Sequence, residues 1–238
     1  MLDEQHRLLG DEFRLITPDL RGFGTAPLGN DAPSIDHYAD DVVAELDRHR
    51  IDEAVVGGVS IGGYIAMSLL RRHRQRVAAV VLADTKGGPD TSEAAANRHR
   101  IADQVLADGS TQVLVDELVP RLVGKTTHER RPHLLAQVTD VVRAASPESV
   151  AWAQRAMAAR PDSRDVLART PVPALVLVGA EDVITPEADA RAMVEGMADA
   201  RLVILPGAGH LSPLEAPAEF AAAVRDFLSS LEALHPAG

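Results

Sequence analysis

The sequence predicts an α/β fold in which a mostly parallel sheet is flanked by helices and covered at one end by inserted helices. Short apolar runs rich in β-branched residues alternate with amphipathic helical segments, which is typical of strand–helix–strand units. Loops rich in glycine and polar residues follow the runs at 54–59, 172–179 and 200–205. Because parallel strands end at one edge of their sheet, we expect these loops to meet there.

The composition of the 238-residue chain is that of a globular protein with one sizeable core, since 46% of its residues are hydrophobic. A net charge of −11 disfavours nucleic acid and anionic membranes as partners. No apolar run of about 18 residues predicts a membrane helix, and the first residues are not a signal peptide, so the expected location is cytoplasmic. With no cysteine, the sequence excludes disulfides and thiolate chemistry.

The first elements are predicted to be a helix over residues 1–9, a strand over 13–17 and a helix that begins after Ser34. Serine is a favoured N-cap residue, and helical spacing of apolar side chains follows it. These side chains are Ile35, Tyr38, Val42 and Leu46. A strand at 54–59, a helix from residue 61 and a strand at 77–83 come next.

The most informative motif is GVSIG at residues 58–62, between a predicted strand and a predicted helix. A G-x-S-x-G motif in that position places its serine on a strained turn with the hydroxyl exposed, so Ser60 is the predicted nucleophile. Gly58 and Gly62 are expected to be required because a Cβ at either position would crowd the turn. The Ile61 backbone N–H lies at a helix N-terminus and is a predicted donor to an oxyanion.

Candidate partners for Ser60 follow in the chain order acid, then histidine. Asp182 comes after the strand at 172–179, in a loop that leads to a helix with Thr185 as its predicted N-cap. His210 comes after the strand at 200–205. We expect His210 to act as the general base for Ser60, and Asp182 to orient and stabilise its imidazole.

Asp84 is a rival for the role of the acid, because it ends the predicted strand at 77–83 and points toward the same edge of the sheet. Asp182 is preferred because it lies in an exposed loop before a capped helix. For Asp84, followed by Thr85, the alternative is that it fixes the exit of its own strand by local hydrogen bonds.

From residue 86 to 169 no strand-like run occurs, and three amphipathic helical stretches, one of them marked by leucines at 114, 118 and 122, predict a lid over the strand ends. The chain is therefore expected to divide into a core part with the nucleophile (1–85), a helical lid (86–169) and a core part with the acid and histidine (170–238). Trp152 and Met157 from the lid, with Leu211 beside His210, are predicted to line an apolar substrate pocket. Core packing is the alternative for Trp152 and Met157.

Four segments together resemble the α/β-hydrolase fold superfamily. They are PDLRGFG at 18–24, GVSIGGY at 58–64, GAED at 179–182 with TP at 185–186, and GAGH at 207–210 with LE at 214–215 and Pro217. Within the superfamily, the chain is most similar to small bacterial esterases and lactonases of the 3-oxoadipate enol-lactonase type. This resemblance implies hydrolysis of a small carboxylic ester or lactone through an acyl-enzyme, with no metal or organic cofactor.

The resemblance also implies that the N-terminal strands of the family are missing. Members begin with two edge strands and a central strand, which ends in a His-Gly loop that supplies a second oxyanion N–H. In the family's strand order the central strand lies between 13–17 and 54–59, so we expect a gap in the sheet with two unpaired edges.

Three other functions stay open at this point. The same three side chains can support perhydrolysis, as in cofactor-free haloperoxidases, or C–C bond hydrolysis. The third possibility is a truncated, non-catalytic relative that binds ligands without turnover. The sequence does not predict the oligomeric state.

Overall fold

The computed structural model describes residues 1–234, and its centre is a sheet of four parallel strands that pair in chain order. Their bounds are β1 (Ala54–Val59), β2 (Val77–Ala83), β3 (Ala174–Gly179) and β4 (Ala200–Leu205). The predicted α/β class and these four strands are confirmed. The third strand begins later than the apolar run at 172–179, after Pro173, whose ring nitrogen has no hydrogen to donate to a ladder.

The strand predicted at 13–17 is wrong, because this segment belongs to no sheet. A strand forms only where a neighbour accepts and donates its backbone hydrogen bonds. Among residues 1–234, no strand pairs with the outer edge of β1, where the expected gap lies. Phe13 and Leu15 instead pack against the apolar cluster beneath the C-terminal helix.

The helices account for most of the remaining described chain. In order they are α1 (Asp3–Leu9), α2 (Ile35–Arg48), α3 (Ile61–Arg72), α4 (Ser92–Asp108), α5 (Gln112–Glu117), α6 (Val119–Leu122), α7 (Lys125–Arg130), α8 (Pro132–Ala144), α9 (Pro147–Ala158), α10 (Arg164–Ala168), α11 (Glu187–Gly196), α12 (Ser212–Glu215) and α13 (Pro217–Leu234), with a 3-10 turn at Arg74–Arg76. Ser34 caps α2 as predicted, since its hydroxyl accepts a hydrogen bond from the Asp36 N–H at 3.1 Å. Among the helices described, none is both long and apolar enough to cross a membrane.

The central strands β2 and β3 are buried on both faces over most of their length, and their alternate residues face opposite sides. Val80 and Leu82 of β2 belong to the cluster beneath α2, α3 and α11. Val81 of the same strand belongs to the cluster beneath α1 and α13. A strand buried on both faces needs apolar residues at every position, which explains the continuous apolar runs.

The segment between β2 and β3, residues 84–173, contains α4 to α10 and is called the helical insertion below. Its helices α4, α5 and α9 enclose a third apolar cluster. The stretch with leucines at 114, 118 and 122, predicted as one helix, is divided between α5 and α6 at Leu118. The division into parts 1–85, 86–169 and 170–238 stays a prediction.

Candidate active site

Ser60 occupies a sharp turn between β1 and α3. Its φ of 53° and ψ of −113° lie in a region that non-glycine residues rarely adopt. Two hydrogen bonds to the neighbouring strand end hold this conformation: the Ser60 N–H donates to the Ala83 carbonyl, and the Thr85 hydroxyl donates to the Ser60 carbonyl, each at 2.9 Å. The backbone bonds leave the Ser60 hydroxyl free to bond elsewhere.

Two glycines permit the turn, and only one of them is among the two expected from the motif. A Cβ on Gly58 would overlap the backbone of Gly62, as predicted. A Cβ on Gly62 would meet nothing within 4 Å, so the expectation for Gly62 is wrong. The second crowded position is Gly63, where a Cβ would lie 2.5 Å from Cγ2 of Thr85, because α3 crosses closely over the end of β2.

The structure brings Ser60, His210 and Asp182 into one hydrogen-bonded series, called the candidate triad below. His210 Nε2 lies 2.8 Å from Ser60 Oγ, and His210 Nδ1 lies 2.8 Å from Asp182 Oδ2. His210 is 2% exposed and Asp182 is 6% exposed. An ionised carboxylate only accepts, so Nδ1 carries the proton in this arrangement and Nε2 can accept from the serine hydroxyl.

Asp182 is fixed by its own loop as well as by His210. Its Oδ1 accepts hydrogen bonds from the N–H groups of Ile184 and Thr185, at 2.8 and 3.0 Å. Its Oδ2 accepts the Thr185 hydroxyl at 2.7 Å. Burial alone would raise the pKa of Asp182, but the hydrogen bond and charge of His210, together with Thr185, hold that pKa below its usual value.

The prediction that Thr185 caps the next helix is wrong. Helix α11 begins at Glu187 with Pro186 in the N-cap position, and the Thr185 side chain turns back to Asp182 instead. Its hydroxyl oxygen also lies 3.2 Å from His210 Nδ1. A threonine three residues after the acid is the sequence signal that could have shown this role, since Asp and Thr side chains often bond locally within turns.

Asp84, the rival acid, makes no hydrogen bond to His210 among those of the described residues. It is fully buried, with a φ of 45°. Its Oδ1 accepts the Gly179 N–H and its Oδ2 accepts the Ser212 N–H, both at 3.0 Å. The expected local hydrogen bonds are therefore wrong: the carboxylate joins the end of β2 to the end of β3 and to the segment after His210. Burial raises the pKa of Asp84 to about 7.

Ile61 is the first residue of α3 and directly follows Ser60. An N–H at the first position of a helix has no acceptor one turn back, and the helix dipole is positive at this end. The Ile61 N–H therefore has no acceptor within α3, and its role as an oxyanion donor stays a prediction.

The predicted pocket residues occupy three different environments. Trp152 is buried, and its ring packs edge-on against Tyr38 with 5.0 Å between ring centres, while its Nε1–H donates to the Asp31 carbonyl. Met157 is half-buried, and its sulfur accepts from Arg98 at 3.4 Å. Leu211 is half-buried next to His210. The packing of Trp152 favours the core alternative for that residue.

Two clefts of the described chain lie outside the candidate triad. One, of about 290 Å³, lies between α2 and residues 18–29. The other, of about 510 Å³, lies between α6, α7 and the loop of Asp182, with Glu181 and Val183 in its wall. Neither includes Trp152, Met157 or Leu211 in its lining, so the predicted pocket stays a prediction. In the described part of the chain, no three His, Cys, Asp or Glu side chains are grouped to hold a metal ion.

Comparison with known proteins supports the fold. Residues 2–223 match the Alpha/beta hydrolase family. The chain is 28% identical over 225 residues to 3-oxoadipate enol-lactonase 2 of Acinetobacter baylyi, covering 94% of this chain and 82% of that protein. Its structure is similar to that of a thermophilic esterase from Thermogutta terrifontis, with a TM-score of 0.92 and 37% identity over 96% of this chain and 84% of the esterase. It is also similar to an enol-lactonase from Burkholderia xenovorans, with a TM-score of 0.87 and 30% identity over 96% and 85% of the two chains.

Proposed function

The chain belongs to the alpha/beta hydrolase family, and we propose that it is a serine hydrolase that cleaves a small carboxylic ester or lactone. The observation that carries this proposal is the continuous series Ser60–His210–Asp182, with 2.8 Å at each of its two links. A serine on a strained strand-to-helix turn, bonded to a histidine that an acid orients, has the geometry of an activated nucleophile.

The proposed reaction begins when Ser60 Oγ attacks the carbonyl carbon of the ester while its proton passes to His210 Nε2. Asp182 remains ionised and stabilises the imidazolium that forms. The Ile61 N–H donates to the oxygen that becomes negative in the tetrahedral intermediate. The intermediate collapses by breaking the carbon–oxygen bond to the alcohol, which takes the proton from His210.

A water molecule then hydrolyses the acyl-enzyme by the same series of steps. It gives a proton to His210 and attacks the acyl carbon, and the proton passes to Ser60 Oγ as the acid product leaves. In a lactone the alcohol stays joined to the acyl group, so one hydroxy acid is released. The esterase and the two enol-lactonases to which the chain is similar support this substrate class.

The test is covalent labelling of the purified protein with a fluorophosphonate, followed by peptide mass mapping. We expect labelling at Ser60 that disappears in Ser60→Ala and falls at least about 10²-fold in His210→Ala, because the hydroxyl is then not activated. Ser92→Ala, which changes an exposed serine in α4, is the matched control and should label as the wild type does.

A substrate panel then separates the alternatives on the same residues. It contains short p-nitrophenyl esters, five- and six-membered lactones, and acetate with hydrogen peroxide. Ester or lactone turnover that requires Ser60 supports the proposal, whereas turnover only in the peroxide arm favours perhydrolysis. A folded protein that is neither labelled nor active would overturn the proposal in favour of a non-catalytic binding role.

A further inference from the structure

The helical insertion and the loop of His210 touch backbone to backbone at two glycines. A Cβ on Gly209 would overlap the Gly124 nitrogen and lie 2.7 Å from the carbonyl carbon of Val123. A Cβ on Gly124 would lie 2.5 Å from Glu181 Oε2 and 2.9 Å from the Gly209 nitrogen. Two chain segments approach this closely only where neither carries a side chain, so the contact depends on both glycines.

Glu215 joins these two segments with a single buried carboxylate. It lies at the end of α12 and is 3% exposed. Its Oε1 accepts the N–H groups of Gly209 and Leu211, the residues on either side of His210, at 2.9 and 3.1 Å. Its Oε2 accepts the Gly124 N–H of the insertion at 2.7 Å. One side chain therefore fixes the backbone around the histidine and holds the insertion against it.

Glu181 makes a second connection on the acid side. It directly precedes Asp182, and its two carboxylate oxygens accept the N–H and the hydroxyl of Thr126, at 2.7 and 2.6 Å. These bonds from Thr126 hold the pKa of Glu181 below its usual value, so the carboxylate is charged at neutral pH. Hydrogen bonds to a charged acceptor are about twice as strong as neutral ones.

We propose that Glu215 and Glu181 are positioning residues that tie the segment 123–126 of the insertion to the two loops carrying His210 and Asp182. Because both ties end beside a member of the candidate triad, the insertion and the triad keep one relative position. Displacing segment 123–126 would leave the Glu215 carboxylate buried with an unpaired oxygen, and the backbone around His210 would lose its common anchor. This inference rests on the proposed function, because positioning His210 matters only if His210 transfers protons.

The first test is Glu215→Gln, with Glu219→Gln as the matched control on an exposed side chain of α13. Glutamine keeps the shape of glutamate, but one of its two ends is an NH2 group, which must face an N–H donor of Gly124 or of the His210 loop. We expect amide exchange, followed by NMR, to accelerate about 10- to 100-fold at Gly124 or at Gly209 and Leu211. On a short p-nitrophenyl ester, kcat should fall by about the same factor with little change in KM.

The second test is Thr126→Val, which keeps the Thr126 N–H but removes the hydroxyl that bonds Glu181. We expect roughly 3- to 10-fold faster exchange of the amides around residue 126 and a smaller loss of kcat, both restored by Thr126→Ser. This variant changes no buried charge, so it keeps the proposal testable if Glu215→Gln fails to fold.

The outcomes separate the two proposals. Unchanged exchange in Glu215→Gln would overturn the tie, and faster exchange with unchanged kcat would overturn its role in positioning His210. If the wild type is not labelled at Ser60 and hydrolyses no ester, the proposed function fails, and positioning of a catalytic base fails with it. The exchange rates still report in that case whether Glu215 and Glu181 hold the insertion in place.

Discussion

The loops after β2 and β3 each carry a buried aspartate, yet the pKa values of the two carboxyl groups are shifted in opposite directions. Asp84 follows β2 and accepts two backbone N–H groups, from Gly179 and Ser212. Asp182 follows β3 and accepts His210 Nδ1 in addition to donors from its own loop. Burial raises the pKa of Asp84 to about 7, whereas His210 and Thr185 hold the pKa of Asp182 below its usual value despite burial.

The comparison shows that the position of an acid at the end of a parallel strand does not decide its role. Desolvation disfavours the charged form of both groups, and only a cationic or hydrogen-bonding partner of sufficient strength reverses that effect. Asp182 has such a partner in His210, which also connects it to Ser60. Asp84 connects three chain segments instead, so its carboxylate has a structural role.

The largest effect is expected from Asp182→Asn. The amide oxygen is needed by the N–H groups of Ile184 and Thr185, so the NH2 group faces His210 Nδ1 and requires it to accept instead of carrying the proton. Because the neutral amide also does not stabilise the imidazolium, kcat/KM should fall by about 10³–10⁴. Ester hydrolysis and the rate of fluorophosphonate labelling both measure this loss. A variant with more than about a tenth of the wild-type rate would remove the distinction between the two aspartates.

A smaller effect is expected from Thr185→Val, which removes the hydroxyl bond to Asp182 Oδ2 but keeps the Thr185 N–H bond to Oδ1. The pKa of Asp182 should rise because one of the groups that lower it is lost, and kcat/KM should fall about tenfold. The pH dependence of kcat/KM measures the loss of rate, and 13C NMR titration of the Asp182 carboxyl group measures the rise of its pKa. Thr185→Ser should restore the wild-type profile; if it does not, the hydroxyl is not the cause.

The smallest effect on rate, within about tenfold, is expected from Asp84→Asn, since this carboxylate bonds no member of the candidate triad. Its effect should instead appear in stability against pH. The pKa of Asp84 is about 7 in the folded chain, against the usual value of 3.8. Between pH 3.8 and about 7, the folded protein therefore holds a proton on Asp84 that the unfolded chain has lost. The contribution of Asp84 to the free energy of unfolding is therefore highest at low pH and is lost as the pH rises through about 7.

Urea unfolding of the wild type and of Asp84→Asn, at a series of pH values from about 5 to 8, measures this contribution. The advantage of the wild type over the variant should shrink as pH rises, because asparagine does not titrate while every other group is shared. A constant difference between the two curves would show that Asp84 has no raised pKa, and the contrast with Asp182 would then rest on hydrogen bonds alone.

Most of the sheet could be predicted from local sequence. The strands β1 to β4 lie in short apolar runs, and a parallel strand buried on both faces, as β2 and β3 are, has little other composition available. The turn at Ser60 is also a local feature, since Gly58 and the strand-to-helix context determine its conformation. The strand predicted at 13–17 shows the limit of local reasoning, because its pattern suits a strand but pairing requires a neighbour that the described chain does not provide.

The sequence by itself determined the four strands of the sheet, the Ser60 turn and the set of candidate side chains that includes Asp182 and His210. Only the tertiary structure decided which aspartate bonds His210, that Thr185 turns back to Asp182, and that Glu215 joins Gly124 to the residues around His210. The reason is physical. The apolar pattern of a strand and the conformation of a tight turn depend on residues close together in the chain, whereas hydrogen bonds between loops depend on the spacing of strands and on close backbone contacts between segments far apart in the chain.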